Sequence, residues 1–258
     1  MNDKELFICS DRSALNMSYQ KIGEERGKPK KIGTVKGMEL MGCLVSAPLG
    51  VYPFVPILPL TTIKMDKGTG VVTSVPSDAP DDYAALQDLI KKPLFREKFG
   101  IKLELLQSYP LIPVIEIPGL GRQAAADLCE EAKVVSQNDR AKLEIIKEKC
   151  YKEGFAKGHM IIGDYVGMKV VEAKPLIKQV MIARGIAHAY SEPDTVVISR
   201  SGNECVVALA DQWYEEYGEP KWQSEVRNHV TSSNFDTYNP QTLQMFLTTI
   251  DWLKEWCW

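Results

Sequence analysis

Three aspartates, Asp78, Asp81 and Asp82, crowd into the stretch KGTGVVTSVPSDAPDDYAAL between Lys67 and Leu86. Carboxylates at that density can bind an ammonium group, hold Mg²⁺ through one or two oxygens plus waters, or move protons in a hydrolysis. Gly68, Thr69 and Gly70 come just before them, and glycines so spaced admit positive φ or let a ligand approach the backbone. A purely structural reading is also open. Val71, Val72, Thr73 and Val75 read as a strand that Pro76 stops, Ser77 or Asp78 can cap the turn, and Asp81 and Asp82 suit a helix N-terminus.

Other chemistries lack their sequence cues. The six cysteines are scattered at 9, 43, 129, 150, 205 and 257 with no C-x-x-C pair, which fits free thiols in a reducing compartment better than disulfides or zinc. His159, His188 and His229 are isolated, so neither a metal-binding H-x-x-x-H spacing nor a Ser-His-Asp triad is indicated, and the expectation is no metal. A net charge of -3 gives no global pull on nucleic acid, so such binding would need a local basic surface. Lys28, Lys30 and Lys31 could touch phosphate, but they also suit a solvated loop. Neither a signal peptide nor a membrane span is visible, and the expected location is the cytosol.

Around these residues the chain of 258 residues is long enough for one large domain or two smaller ones. ELFICS reads as a short strand and SDRSALNMSYQ as a helix capped by Ser10. GVYPFVPILPLTTI, broken by Pro53, Pro56 and Pro59, suits an extended edge segment. Helical patterns follow at 81–92, 122–132 and 138–153, the last with Asn138 and Asp139 as caps, and PVIEIPG is extended. A further helix ends near Gly185. Beyond it, TVVISRSGNECVVALADQWYEEYG suggests two short strands about a Ser-Gly-Asn turn and then an aromatic helix start. NPQTLQMFLTTIDWLKEWCW reads as a helix with Asn239 as cap and Pro240 in the first turn. The interleaving predicts a mixed α/β, barrel-like core with peripheral helices.

The stretches DKGTGVVTSVPSDAPDDYAALQDL, ELFICSDRSALNMSYQ, PVIEIPG, SQNDRAKL and SRSGNECVVALADQWYEEYG, in that family's order along nearly the whole chain, resemble cytosolic leucyl-tRNA synthetase of the eukaryotic type. The resemblance implies an editing domain at 1–195, barrel-like with surrounding helices, and at 196–258 the truncated start of the return into the class I synthetase core. It implies hydrolysis of tRNA-Leu charged with the wrong amino acid, within an enzyme that joins leucine to tRNA-Leu using ATP and Mg²⁺. A missing methylene changes pocket affinity by only ~1–3 kcal/mol, the relation known for synthetases of small apolar amino acids, so a second site must clear errors.

Carried over by motif, Asp82 would bind the α-amino group of the misattached residue. Gly68, Thr69 and Gly70 would admit the terminal adenosine, Thr73, Val75 and Pro76 would border the same pocket, and Asp78 and Asp81 would support it. The resemblance also places a threonine-rich strand of the type T-L-R-P-E-T upstream of ELFICS as the other pocket wall, and this sequence does not contain it. The HIGH and KMSKS sequences for ATP are likewise absent, so no cofactor is expected in this segment. Expected partners are tRNA-Leu, the misattached amino acid and the remainder of the synthetase, with no membrane. Two other readings stand beside this one: a catalytically silent fragment that only docks tRNA or aids folding, and a carboxylate-driven metal or acid/base hydrolase using Asp78, Asp81 and Asp82.

Overall fold

The computed structural model describes residues 5–257. It divides into two compact units, one reaching to Ala208 and one running from Leu209 onward. In the first unit α1 (Asp11–Ser18) ties down the segment 191–207. The Asn16 amide oxygen accepts from the Val207 N–H at 3.0 Å, and Gln20 bonds both backbone groups of Ser191 and the Val207 carbonyl.

The first unit continues through α2 (Gly37–Leu40) to a two-stranded antiparallel ribbon of β1 (Leu44–Ser46) and β2 (Phe54–Pro56). Of the proline-broken segment expected to be extended, Phe54–Pro56 forms a strand, with bends before it and a turn at 61–62. Helices α3 (Pro80–Lys91), α4 (Pro93–Glu97) and α5 (Leu103–Gln107) come next. Strand β3 (Ile115–Glu116) pairs antiparallel with β4 (His159–Met160) across α6 (Ala124–Glu131) and α7 (Arg140–Lys157), and α8 (Val170–Ala183) follows.

The helix α3 starts where its sequence dictates. Pro80 occupies the first turn, where a missing N–H costs nothing, Asp81 and Asp82 face the positive end of the helix dipole, and Lys91 faces the negative end. Ala84 of α3, Ala124, Leu128 and Cys129 of α6, and Leu143, Ile146 and Cys150 of α7 form one core around Ile117. The buried positions of α7, Leu143, Ile146, Cys150 and Gly154, recur at helical spacing. Gly154 lets this helix lie close over β3, since a Cβ there would stand 3.3 Å from the Cδ1 atoms of Ile115 and Ile117. A smaller core of Leu89, Ile101 and Leu106 supports the other end of α3.

Asp88 links α3 to the loop before α7. Its buried carboxylate pairs with Lys92 at 2.6 Å, accepts from the Ser136 hydroxyl at 2.8 Å and from the Gln137 N–H at 3.2 Å. Gln137 in turn accepts from both the N–H and the hydroxyl of Thr61.

The second unit packs α9 (Pro220–Val230) against α10 (Pro240–Trp252) beside an antiparallel ribbon of β5 (Tyr214–Glu216) and β6 (Glu255–Cys257). Asn239 caps α10 through its side chain, as expected. The aromatic run around Trp213–Tyr217, expected to begin a helix, contains β5 instead, and α10 stops at Trp252 so that Glu255–Cys257 can pair with it. That pairing joins residues some forty positions apart, beyond what a local pattern reports.

Other expectations need correction. Residues 5–10 and 71–75 form no strand, because neither has a ladder partner among the described residues, and Leu6, Ile8, Val71 and Val72 lie exposed. Around the Ser-Gly-Asn turn the two expected strands shrink to a single bridge between Ile198 and Glu204. The fold is mixed α/β, and the strands among the described residues form two-stranded ribbons with no closed barrel. No helix is long and apolar enough to cross a membrane among the described residues.

Candidate functional site

The acidic turn is built backwards from the expected cap. Ala79, not Ser77 or Asp78, stands at the N-cap of α3, with no side-chain cap bond. Asp82 reaches back from the first turn, and its Oδ2 accepts from the Val75 N–H at 2.7 Å, with the Ser74 hydroxyl as a second donor. This closes the loop 75–82 around a carboxylate. Burial raises the Asp82 pKa, against the lowering pull of those two donors. The neighbouring Asp81 takes the local cation, its Oδ2 lying 3.0 Å from Lys147 Nζ on α7. Asp82 therefore sits half-buried in net negative surroundings with no ion pair of its own among the described residues, a setting that favours a cationic group from outside.

Asp78 plays another part. Its Oδ2 accepts from the Ser77 hydroxyl at 2.6 Å, while its Oδ1 is buried without a hydrogen-bond partner among the described residues. Burial pushes its pKa up to about 6, against the lowering effect of Ser77. Its backbone carbonyl accepts the Cys150 thiol, so Asp78 belongs to the packing between α3 and α7. Burial also pushes the thiols of Cys150 and Cys129 up to about 12 and about 11, which leaves them protonated and unreactive at neutral pH. Among the described residues no group of three His, Cys, Asp or Glu side chains is placed to hold a metal ion.

The glycine turn is held by different elements. Gly68 and Gly70 take φ of +66° and +85°, a region that favours glycine. The Gly68 N–H donates to Glu192 Oε1 at 2.7 Å, and its carbonyl accepts the Ser13 hydroxyl. The Thr69 carbonyl accepts from the Ser10 N–H at 3.0 Å, and the Thr69 hydroxyl donates to the Val71 carbonyl. The amides of Thr69 and Gly70 carry no protein acceptor among the described residues. Thr73 is exposed, and Val75 and Pro76 are half-buried.

The structure thus groups the expected site residues into two clusters, Gly68–Gly70 on α1 and Val75–Asp82 on α3 and α7. No hydrogen bond or ion pair among the described residues joins them; the exposed segment 71–74 does. Sequence reasoning missed Ser74, Lys147, Arg12 and Glu192, which hold these clusters. Lys147 and Glu192 come from distant parts of the chain, and no local spacing announces them. The basic loop offers less than it could: Lys28 pairs with Glu25 and Lys31 with Asp11.

Comparison with known proteins gives this geometry a family. No protein-family model matches the chain. The chain is 44% identical to the cytoplasmic leucine–tRNA ligase of Dictyostelium discoideum over 99% of its own length, and 45% identical to that of Arabidopsis thaliana over 99%. Its fold superimposes on the crystal structure of GlLeuRS-CP1 with a TM-score of 0.64 and 42% identity, covering 72% of this chain and 70% of that one. The chain belongs to the leucyl-tRNA synthetase family. Within leucyl-tRNA synthetases it matches the editing region: the editing domain of the cytosolic enzyme of P. falciparum aligns with a TM-score of 0.67 and 35% identity over 71% of this chain and 61% of that domain. The chain spans 24% of the Dictyostelium ligase and 23% of the Arabidopsis ligase.

Proposed function

We propose that this chain carries the post-transfer editing site of a cytoplasmic leucyl-tRNA synthetase and that Asp82 anchors the ammonium of a misattached amino acid on tRNA-Leu. The observation that carries the reading is the fixed Asp82 carboxylate: Val75 and Ser74 orient it, and Lys147 is engaged by Asp81. Editing is supported over a mere docking role because similar solved structures are themselves described as editing domains.

In this reading the terminal adenosine lies along the open amides of Thr69 and Gly70. Water adds to the ester carbonyl, the tetrahedral intermediate collapses, and the ribose oxygen leaves with a proton as free amino acid is released. Asp82 works by placing the ester through its ammonium, and no proton needs to pass through it. Thr73, Val75 and Pro76 border the pocket, and Asp78 and Asp81 hold the turn.

The barrel-like arrangement belongs to the same proposal. Leu6, Ile8, Val71 and Val72 are exposed apolar residues in extended sequence, which supports their pairing with strands from elsewhere in a longer chain. Residues 196–258 are then the beginning of the return into the synthetase core, whose ATP, Mg²⁺ and leucine sites lie outside this segment.

Blocking the ammonium tests the reading. Intact synthetase should deacylate isoleucyl-tRNA-Leu and hydrolyse its N-acetylated counterpart at least about tenfold more slowly, since a charge-assisted hydrogen bond is lost. Equal rates on both would remove the ammonium from the mechanism.

A further inference from the structure

Glu192 lies far along the chain from the glycine turn, yet it is the residue on which the turn closes. Its Oε1 accepts the Gly68 N–H at 2.7 Å; its Oε2 accepts the Tyr190 hydroxyl at 3.0 Å and lies 3.2 Å from Arg12 Nη1. Both charged side chains are largely buried, Arg12 at 11% and Glu192 at 14% exposed. Arg12 continues the network: its Nε pairs with Glu204 and its Nη1 donates to the Asp66 carbonyl, while Nη2 is buried with no acceptor among the described residues. One guanidinium thus ties together Asp66 at the start of the turn, Glu192, and Glu204, which forms the bridge with Ile198. On the other side, Ser10 at the N-cap of α1 and Ser13 within it hold the Gly68 and Thr69 carbonyls.

The arrangement consumes both backbone polar groups of Gly68 and leaves those amides of Thr69 and Gly70 free. A turn with two positive-φ residues has many alternative shapes, and an oriented carboxylate on one amide selects among them. Glu192 sits in the strap 191–207, which Gln20 and Asn16 fasten to α1 and which leads to Leu209. The shape of the turn is therefore set by the segment that leaves the first unit.

We infer that Glu192, braced by Arg12, is a positioning residue for the editing reaction: it holds the Gly68–Gly70 turn in the shape that receives the nucleotide end of the substrate. This rests on the editing function proposed above. It acts on binding of the tRNA end and leaves the placing of the ester by Asp82 untouched.

The test uses intact synthetase with isoleucyl-tRNA-Leu as the probe and two variants. Glu192→Gln keeps an oxygen for the Gly68 amide, whereas Glu192→Ala removes it. Glu192→Ala should raise KM for deacylation about tenfold with kcat within about twofold of wild type, and Glu192→Gln should restore most of the loss. Hydrogen exchange at the Gly68 amide should accelerate in Glu192→Ala and stay slow in Glu192→Gln, whatever the activity. If Glu192→Ala does not melt cooperatively, Glu192→Asp, a methylene short of that amide, takes its place with the same expectation. A wild-type KM, a fall in kcat at constant KM, or unchanged Gly68 exchange in Glu192→Ala would overturn the inference. Asp82→Ala measured in parallel separates the two claims: unchanged deacylation there defeats the functional reading, while Gly68 exchange still judges Glu192.

Discussion

Asp82 and Val75 are joined by a 2.7 Å hydrogen bond that runs backward from the first turn of α3 to the loop before it. The same carboxylate is therefore both a fastener of the turn and the proposed anchor of a substrate ammonium. Asp82→Asn separates these duties. Its amide oxygen can still accept the Val75 N–H, but the charge is gone. Thermal stability should stay within about 1 kcal/mol of wild type, whereas Asp82→Ala should cost about 1–3 kcal/mol by leaving the amide unpaired. Denaturant melts of both variants check this; equal losses would mean that the Val75 bond contributes nothing.

Asp78 should make stability fall as pH rises. Its folded pKa, about 6, lies above its ordinary value of 3.8, so the fold prefers the protonated acid. That contribution is fully present below about pH 4 and is lost as pH rises through 6. Asp78→Asn should then stabilise the protein by about 1–2 kcal/mol at pH 7.5, after allowance for partial solvent screening, and by almost nothing at pH 4. Urea melts at the two pH values measure the difference, and a gain independent of pH would contradict the burial of an unpartnered Oδ1.

Asp88 should behave with the opposite sign. Burial alone would raise its pKa, but Lys92, Ser136 and Gln137 outweigh burial and lower it below the ordinary carboxylate value. Its stabilisation is present above the unfolded pKa and lost as pH falls through the folded one. Asp88→Ala should cost about 2–4 kcal/mol at neutral pH, because Ser136 and the Gln137 amide lose their acceptor. The deficit should shrink in acid, which a melt series descending in pH would show.

Gly154 should reject a large side chain. With Ile115 and Ile117 methyls 3.3 Å from a Cβ, Gly154→Leu should destabilise by about 1–3 kcal/mol through overpacking. Gly154→Ala should fall within about 1 kcal/mol of wild type, as better helix propensity offsets the tight contact. Equal stability of the leucine variant would show that α7 can lift off β3 freely.

Legibility in the sequence followed the range of the forces involved. Helices α3, α7 and α10 were readable because their signals, Pro80 with two aspartates, a run of polar and apolar residues at helical spacing, and Asn239 before Pro240, lie within a few positions. The ribbon between Tyr214 and Cys257 was not, since strand pairing is decided by a partner far along the chain. Val71–Val75 shows the converse case: β-branched residues announced a strand, and with no ladder partner among the described residues none forms, so that Val71 and Val72 lie exposed. At the candidate site, Asp82 and the glycines were singled out through resemblance and local chemistry. Their supports, Lys147 for Asp81 and Glu192 for Gly68, come from contacts that only the folded chain makes.

The most direct measurement is the rate at which intact synthetase carrying Asp82→Ala deacylates isoleucyl-tRNA-Leu, with leucylation of tRNA-Leu measured on the same preparation. Expected is a loss of about 10–100-fold in deacylation kcat/KM, the worth of one charged hydrogen bond, with leucylation intact. Deacylation at the wild-type rate would show that Asp82 does not hold the substrate.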